Sequence, residues 1–322
     1  MLSLKHVYFF QAGIGILANT SLLLFHIFTI HQIRRPRPTD TITCQLAFVH
    51  IVMLLTTLDI SSADIFQSLG FPNELNCKLM LYVSRVSMGL SISTTCLLSI
   101  VQVITISPSS FYWSTFKHKL TKHVSIAFVC ICCLNLCSNS NMIIYTVAHS
   151  NRTNLLNVSK YCSLGSINSI VRALYRTINL SQNIFFVGMM LLSSIYMVIF
   201  LCSHQRKSEY LHSMSISPRT SPAKRATCTV LVLVSFFVIM SCVDITITSF
   251  LYTLWKYEPA IPHIQRLMGN MYATVSPLVF ISSDKRIVDI LRKVINMCQT
   301  FQELIKQIRK IKYIIWGIFN HP

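Results

Sequence analysis

Three ionisable side chains border or interrupt long uncharged stretches: Asp59, Arg85 and Asp244. A charge inside a membrane helix costs roughly 2.5–3.5 kcal/mol on insertion scales, so it marks a place where a ligand group or a partner charge meets it. Arginine offers a planar fork of donors to a carbonyl, sulfate or carboxylate. Either aspartate would neutralise it instead. Two readings therefore stand for Arg85: a ligand anchor, or a structural pair or interfacial charge whose long stem reaches water. The same two stand for Asp59 and Asp244. Tyr272, with Phe185, Phe186 and Tyr252, supplies aromatic surface that lines an apolar pocket or packs between helices. No Gly-rich phosphate loop and no His-Glu-x-x-His pair occurs, so the sequence shows no seat for catalysis and implies no metal or cofactor.

The elements that hold these residues follow from where charge is missing. The chain has 322 residues, of which 28 are Lys or Arg and 10 are Asp or Glu; that is 12% charged, about half the usual soluble share of ~25%. Hydrophobic residues make up 52%, and the mean hydropathy is +0.55. Such a chain cannot cover a soluble domain with charge, and its hydrophobicity excludes disorder. Uncharged runs of 17 or more residues occur at 6–33, 41–58, 86–116, 123–151, 177–205, 226–243 and 267–283. Crossing about 30 Å of hydrocarbon takes roughly 20 helical residues. The runs are too long, and alternate too seldom, for barrel strands. They predict an all-α membrane protein, a seven-transmembrane-helix bundle with helices near 8–30, 42–62, 81–105, 124–147, 178–202, 227–250 and 264–283. Residues 1–290 form the receptor-like domain, and 285–322 form a basic amphipathic tail. No internal repeat of the transporter kind is visible.

Basic residues orient the bundle. With the N-terminus outside and the C-terminus inside, segments 31–41, 107–123, 203–226 and 284–322 are cytoplasmic and hold nineteen of the 28 Lys and Arg. Five acids oppose them there: Asp40, Glu209, Asp284, Asp289 and Glu303. The high net charge is thus a matter of topology and inner-leaflet contact, and nucleic acid is not an expected partner. Lys5 precedes an uncharged run too long for a cleavable signal, so the first helix is expected to act as the targeting signal.

Most of the twelve cysteines lie inside the expected helices, where they read as small packing residues. Cys77 and Cys162 alone fall at outward positions, in an oxidising compartment. Their pairing would tether the 149–176 loop to the top of the third span and contribute roughly 2–4 kcal/mol. The same loop carries two glycosylation sequons, at Asn151-Arg152-Thr153 and Asn157-Val158-Ser159.

The third span reads Arg85-Val86-Ser87-Met88-Gly89-Leu90-Ser91-Ile92-Ser93-Thr94-Thr95-Cys96-Leu97-Leu98-Ser99 and continues to Ile104-Thr105-Ile106-Ser107-Pro108. Together with Gly13-Ile14-Gly15-Ile16-Leu17-Ala18-Asn19, Tyr272-Ala273-Thr274-Val275-Ser276-Pro277, His204-Gln205 and Lys224-Arg225-Ala226-Thr227, it closely resembles the vomeronasal type 1 receptors. The likeness runs from about residue 10 to residue 290. It implies a chemosensory G-protein-coupled receptor of the plasma membrane of vomeronasal neurons. Such a receptor binds a small pheromone-like ligand in an outer-side cavity and activates a Gi/Go-type G protein. Bitter taste receptors are the alternative relatives, and a small transporter or channel is the alternative outside the receptor class.

Where rhodopsin-like receptors end the third helix with an acid-Arg-aromatic triplet, this chain has Val101-Gln102-Val103, so activation has to use contacts other than an ionic latch. Gln102, Arg206, Lys207, Lys224 and Arg225 are the residues expected to face the G protein. Two positions depart from the resemblance itself. His50 stands where Asn is expected, and the fourth span lacks a tryptophan near Cys132. His50 reads as a proton-sensitive switch or as a neutral, hydrogen-bonded packing residue. In the tail, Ile287, Ile290, Leu291, Val294, Cys298, Phe301, Ile305 and Ile308 follow helical spacing between basic residues. That is the pattern of a helix lying on the anionic inner leaflet of the bilayer, with Cys298 a candidate for lipidation.

Overall fold

Backbone amides without water to bond must close their hydrogen bonds on one another, and a helix does so within a single segment. The computed structural model describes residues 2–32, 37–62, 73–107, 120–148, 156–157, 162–164, 169–211, 231–232, 234–243, 246, 260–284, 286–289 and 292. Its helices are α1 (Leu2–Gln32), α2 (Pro38–Ser62), α3 (Asn73–Ile106), α4 (Leu120–Ser138), α5 (Asn141–Tyr145), α6 (Ser169–Leu211), α7 (Val234–Val243) and α8 (Ala260–Ser283). Among the described residues five helical stretches are long and apolar enough to cross a membrane: His6–Gln32, Pro38–Leu58, Lys78–Ile106, Leu120–Ile144 and Ala173–Ser203. Val234–Val243 and Leu267–Ser282 are shorter apolar helices that fall within the sixth and seventh expected spans.

The helices overrun the expected spans because charge ends a hydrophobic run without ending a helix. α6, for example, continues through Arg172, Arg176, Arg206 and Lys207. The fourth span departs in the opposite sense. Read as one helix over 124–147, it breaks after Ser138. There Asn139 Nδ2 donates to Asn135 O at 2.9 Å and Ser140 Oγ to Cys137 O at 2.9 Å. Side chains that bond the backbone locally compete with the helical ladder. The main chain responds with three-residue bonds, from Ser140 N to Cys137 O and from Met142 N to Asn139 O.

The all-α expectation needs one correction. After α5 the chain forms three short strands, β1 (Thr146–Ala148), β2 (Leu156–Asn157) and β3 (Cys162–Leu164), in an antiparallel sheet of order β1-β3-β2. Val147 pairs with Ser163, Ala148 with Cys162 and Asn157 with Ser163. These residues lie beyond the helix, and the ladder satisfies backbone groups that the helix no longer serves.

Two compact units divide the chain, Met1–Val279 and Phe280–Pro322. In the first, α3 is the hub: it packs on α2, α4, α5, α6 and β1, while α1 packs on α2. Every residue from Ser93 to Ser99 is buried, as befits a helix surrounded on all sides. The outer faces of α1, α4 and α6 expose Leu17, Val129, Leu192 and Ile199, surface suited to lipid tails. In the second unit Asp284 caps a helical turn, its Oδ1 accepting the Arg286 N–H at 2.9 Å and its carbonyl the Val288 N–H at 3.0 Å. Arg286 also pairs with its carboxylate at 2.7 Å. Cys298 and the rest of the tail past Arg292 lie outside the described residues.

Candidate functional site

The buried polar residues of α1, α2, α3 and α8 form a linked network, and the first link originates in a proline. Pro277 sits inside α8. Lacking an N–H, it leaves the carbonyl of Ala273, four residues back, without a helical donor. Asn19 of α1 supplies one: its Nδ2 donates to Ala273 O at 2.8 Å and to Gly15 O at 2.7 Å. Gly15 permits the approach, since an added Cβ would stand 2.6 Å from Leu54 Cδ1 and 2.9 Å from Thr274 Oγ1. Gln11 Nε2 donates to Leu267 O at 3.3 Å, and the Thr57 hydroxyl lies 3.2 Å from Asn270 Oδ1. Ala12, Met53, Leu54 and Ala273 pack as an apolar core beside these bonds.

The second link runs through His50, which is 1% exposed. Its Nε2 is 2.9 Å from Ser91 Oγ on α3, and its Nδ1 is 3.2 Å from Ser276 Oγ on α8. A neutral imidazole has one donor and one acceptor nitrogen. One serine therefore accepts from the ring while the other donates to it, and both nitrogens are used. The Tyr272 ring meets His50 edge-on at 5.4 Å between centroids, and its hydroxyl is 2.9 Å from Thr95 Oγ1. Phe237 meets the same ring edge-on at 4.6 Å, and Phe236 stacks on it at 6.4 Å. Tyr272 thereby joins α2, α3, α7 and α8 at one point.

A third link lies nearer the sheet. Asn135 of α4, fully buried, donates from Nδ2 to Ser93 Oγ at 3.2 Å and to Ile131 O at 2.9 Å, and its Oδ1 accepts from Gln182 Nε2 of α6 at 3.1 Å. Gly89 makes room for it, because an added Cβ there would fall on the Asn135 amide oxygen.

Of the residues singled out from sequence, Tyr272 is 3% exposed and stands in this network. Arg85 is exposed on α3, while its neighbours Val86 and Ser87 are buried. Asp59 lies in α2 and Cys77 in α3, Cys162 in β3 and Asn157 in β2; the side chains of Asp59, Cys77, Asn157 and Cys162 are outside the described set, as are Asn151, Asp244 and Tyr252 altogether. Phe186 is buried and Phe185 exposed. Gln102 is buried near the end of α3. Arg206 and Lys207 belong to the last turns of α6, with side chains outside the described set, and Lys224 and Arg225 lie wholly outside it. Sequence reasoning passed over Ser91, Ser276, Thr95, Asn135 and Gln182. The signal for two of them was the spacing of Ser91 and Thr95, which places both on one face of α3.

Over residues 2–293 the chain matches the model of the vomeronasal organ pheromone receptor family. Vomeronasal type-1 receptor 94 of Rattus norvegicus is 38% identical over 301 residues, covering 92% of each chain. Vomeronasal type-1 receptor 51 of Mus musculus is 37% identical over 294 residues, 91% of this chain and 92% of its own. Vomeronasal type-1 receptor A11 of Mus musculus is 38% identical over 292 residues, 90% of this chain and 91% of its own. The match covers every helix from α1 to α8 and all three links of the polar network, and by it the chain belongs to the vomeronasal organ pheromone receptor family.

Proposed function

We propose that this receptor binds a small pheromone-like ligand on the outer side of a seven-helix bundle and activates a Gi/Go-type heterotrimeric G protein on the inner side. The observation that carries the proposal is the family match over residues 2–293, which makes the chain a multi-pass chemosensory receptor of vomeronasal neurons and decides against the bitter-taste alternative. The excess of Lys and Arg in segments 31–41, 107–123, 203–226 and 284–322 supports an external N-terminus. In that orientation the inner ends of α3 and α6, with Gln102, Arg206, Lys207, Lys224 and Arg225, face the G protein. The amphipathic tail lies on the inner leaflet. The network around Tyr272 links the ligand side to that surface.

The test is a screen of uncharged and anionic small molecules on cells with verified surface expression and a Gi/Go α-subunit. A ligand-dependent response that ADP-ribosylation of the α-subunit abolishes is the expected result. A transport current in cells without that G protein would replace the receptor reading by the transporter one.

The Cys77–Cys162 bond belongs to the same proposal. α3 packs against β1, and β1 pairs with β3, where Cys162 lies opposite Ala148. The backbone thus supports a tether between the start of α3 and the sheet. Cys77→Ser and Cys162→Ser should each reduce surface expression, and the double variant should be no worse than either single one, because each change removes the same bond. Losses that add would show that the two cysteines act separately. Glycans at Asn151 and Asn157 are proposed for the same outer loop; loss of the deglycosylation shift on gels in the Asn151→Gln, Asn157→Gln double variant reads them.

A further inference from the structure

The inward face of α6 changes character along its length. Asn179, Gln182 and Asn183 stand at i, i+3 and i+4 and so share one face, which continues through Phe186, Val187 and Met190. The last three are buried, at 8%, 7% and 0% exposure. The three carboxamides are only half-buried. They are not on the lipid side, which is marked at the same level by exposed Leu180, Ile184 and Phe185. α3 shows the same gradient: every residue from Ser93 to Ser99 is buried, whereas Tyr82 to Ser84 and Met88 to Leu90 are half-buried. The bundle is closed through its middle, and its inner faces open toward the end that carries the sheet.

Hydrocarbon gives a carboxamide nothing to bond, and an unpaired one is costly to keep there. Gln182 uses one N–H on Asn135 Oδ1 at 3.1 Å, which leaves its Oε1 and second N–H. Asn179 directs its amide N–H groups at Tyr175 O (3.0 Å) and Ser138 O (3.5 Å), which leaves its Oδ1. Asn183, beside them, adds a third amide. An inward, half-open face with spare donors and acceptors is built for water or for a polar ligand group.

We infer that α3, α4 and α6 enclose a water-filled crevice, open at the sheet end, in which these amides receive the uncharged hydrogen-bonding group of the ligand, a ketone or hydroxyl. The inference rests on the receptor reading above and names the ligand chemistry of its outer side. The side chains that meet here, Ser93, Asn135, Ser138, Asn179, Gln182 and Asn183, carry donors and acceptors and no charge. A carboxylate or sulfate entering this face would shed its water without meeting a counter-charge. Arg85, the cation nearest in sequence on α3, is eight residues from Ser93, about 12 Å along the helix, and is exposed.

Cysteine accessibility tests the crevice without a known ligand and without a G protein, so its failure and the failure of the coupling experiment are separate results. Gln182→Cys, Asn183→Cys and Ile184→Cys are expressed in intact cells and treated from outside with a membrane-impermeant methanethiosulfonate reagent, against the parent chain as background. Labelling above background at 182 and 183, and not at 184, is the expected result. Gln182→Cys gives up the bond to Asn135; Asn183→Cys keeps it and carries the test if the first fails to reach the surface. Background labelling at 183, or equal labelling at 183 and 184, overturns the crevice. Medium-chain ketones and alcohols should then slow labelling at 183 several-fold, while carboxylates of the same chain length should not. Equal slowing by both classes, or slowing by neither, overturns the ligand chemistry.

Discussion

Asn19→Ala should lower the stability of the solubilised receptor by about 1–3 kcal/mol, the cost of leaving a buried carbonyl unpaired, and should reduce its surface expression accordingly. The carbonyl is that of Ala273, which Asn19 Nδ2 reaches at 2.8 Å. Because Pro277 is the reason that carbonyl needs an outside donor, the prediction has a specific rescue. Pro277→Ala restores a main-chain N–H four residues on, and in its presence the loss from Asn19→Ala should shrink. A double-mutant cycle on thermal unfolding measures the coupling. Coupling of about 0.5 kcal/mol or more in the rescuing direction is the expected outcome. Two losses that simply add would mean that Asn19 holds α1 by packing alone and that the bond to α8 is incidental. The effect exceeds that of a typical interhelical bond in a membrane, about 0.6 kcal/mol, because Gly15 brings the helices too close for another side chain or a lipid to take the place of the amide.

That pairing also shows which parts of the molecule were legible in the sequence. Pro277 announces a carbonyl in need of a donor, so half of the bond is readable from one position and its spacing. The other half is not, because Asn19 lies 254 residues away from Ala273 and many polar residues compete for the role. The uncharged runs are legible for a related reason: exclusion of charge from hydrocarbon acts on each residue separately, and no partner need be known. The break between α4 and α5 escaped the same reasoning, because Ser138, Asn139, Ser140 and Asn141 are uncharged and pass as part of a span. What stops the helix there is side chains bonding to the backbone, which hydropathy does not register. The sheet escaped for the same reason, its strands being two or three residues long. Arg85 illustrates the limit for sites. Its charge made it conspicuous, yet the described interior is held together by uncharged groups, Asn19, His50, Asn135 and Gln182, which stand out only once their partners are seen.

His50→Leu should release α8 from α3 and raise basal signalling, while lowering thermal stability by about 1–2 kcal/mol. The imidazole bridges Ser91 Oγ at 2.9 Å and Ser276 Oγ at 3.2 Å, across 41 and 226 residues of sequence. Leucine fills similar space and makes neither bond. Interhelical hydrogen bonds in membranes average about 0.6 kcal/mol and reach about 1.7, and two are lost at once. Both serines then turn to carbonyls of their own helices, which satisfies them locally and uncouples the helices. This chain has Gln102 where rhodopsin-like receptors keep an arginine, so no ionic latch on α3 compensates. His50→Asn is the discriminating variant, since a carboxamide also offers a donor and an acceptor; it should stay closer to the parent in both stability and basal signalling than His50→Leu does. Tyr272→Phe should fall between them, because it removes only the 2.9 Å contact with Thr95 and leaves the ring packed against Phe236 and Phe237. If His50→Leu matches the parent in basal nucleotide exchange at equal surface expression, the histidine only packs, and the tie between α3 and α8 has to be sought at Thr95 and Tyr272.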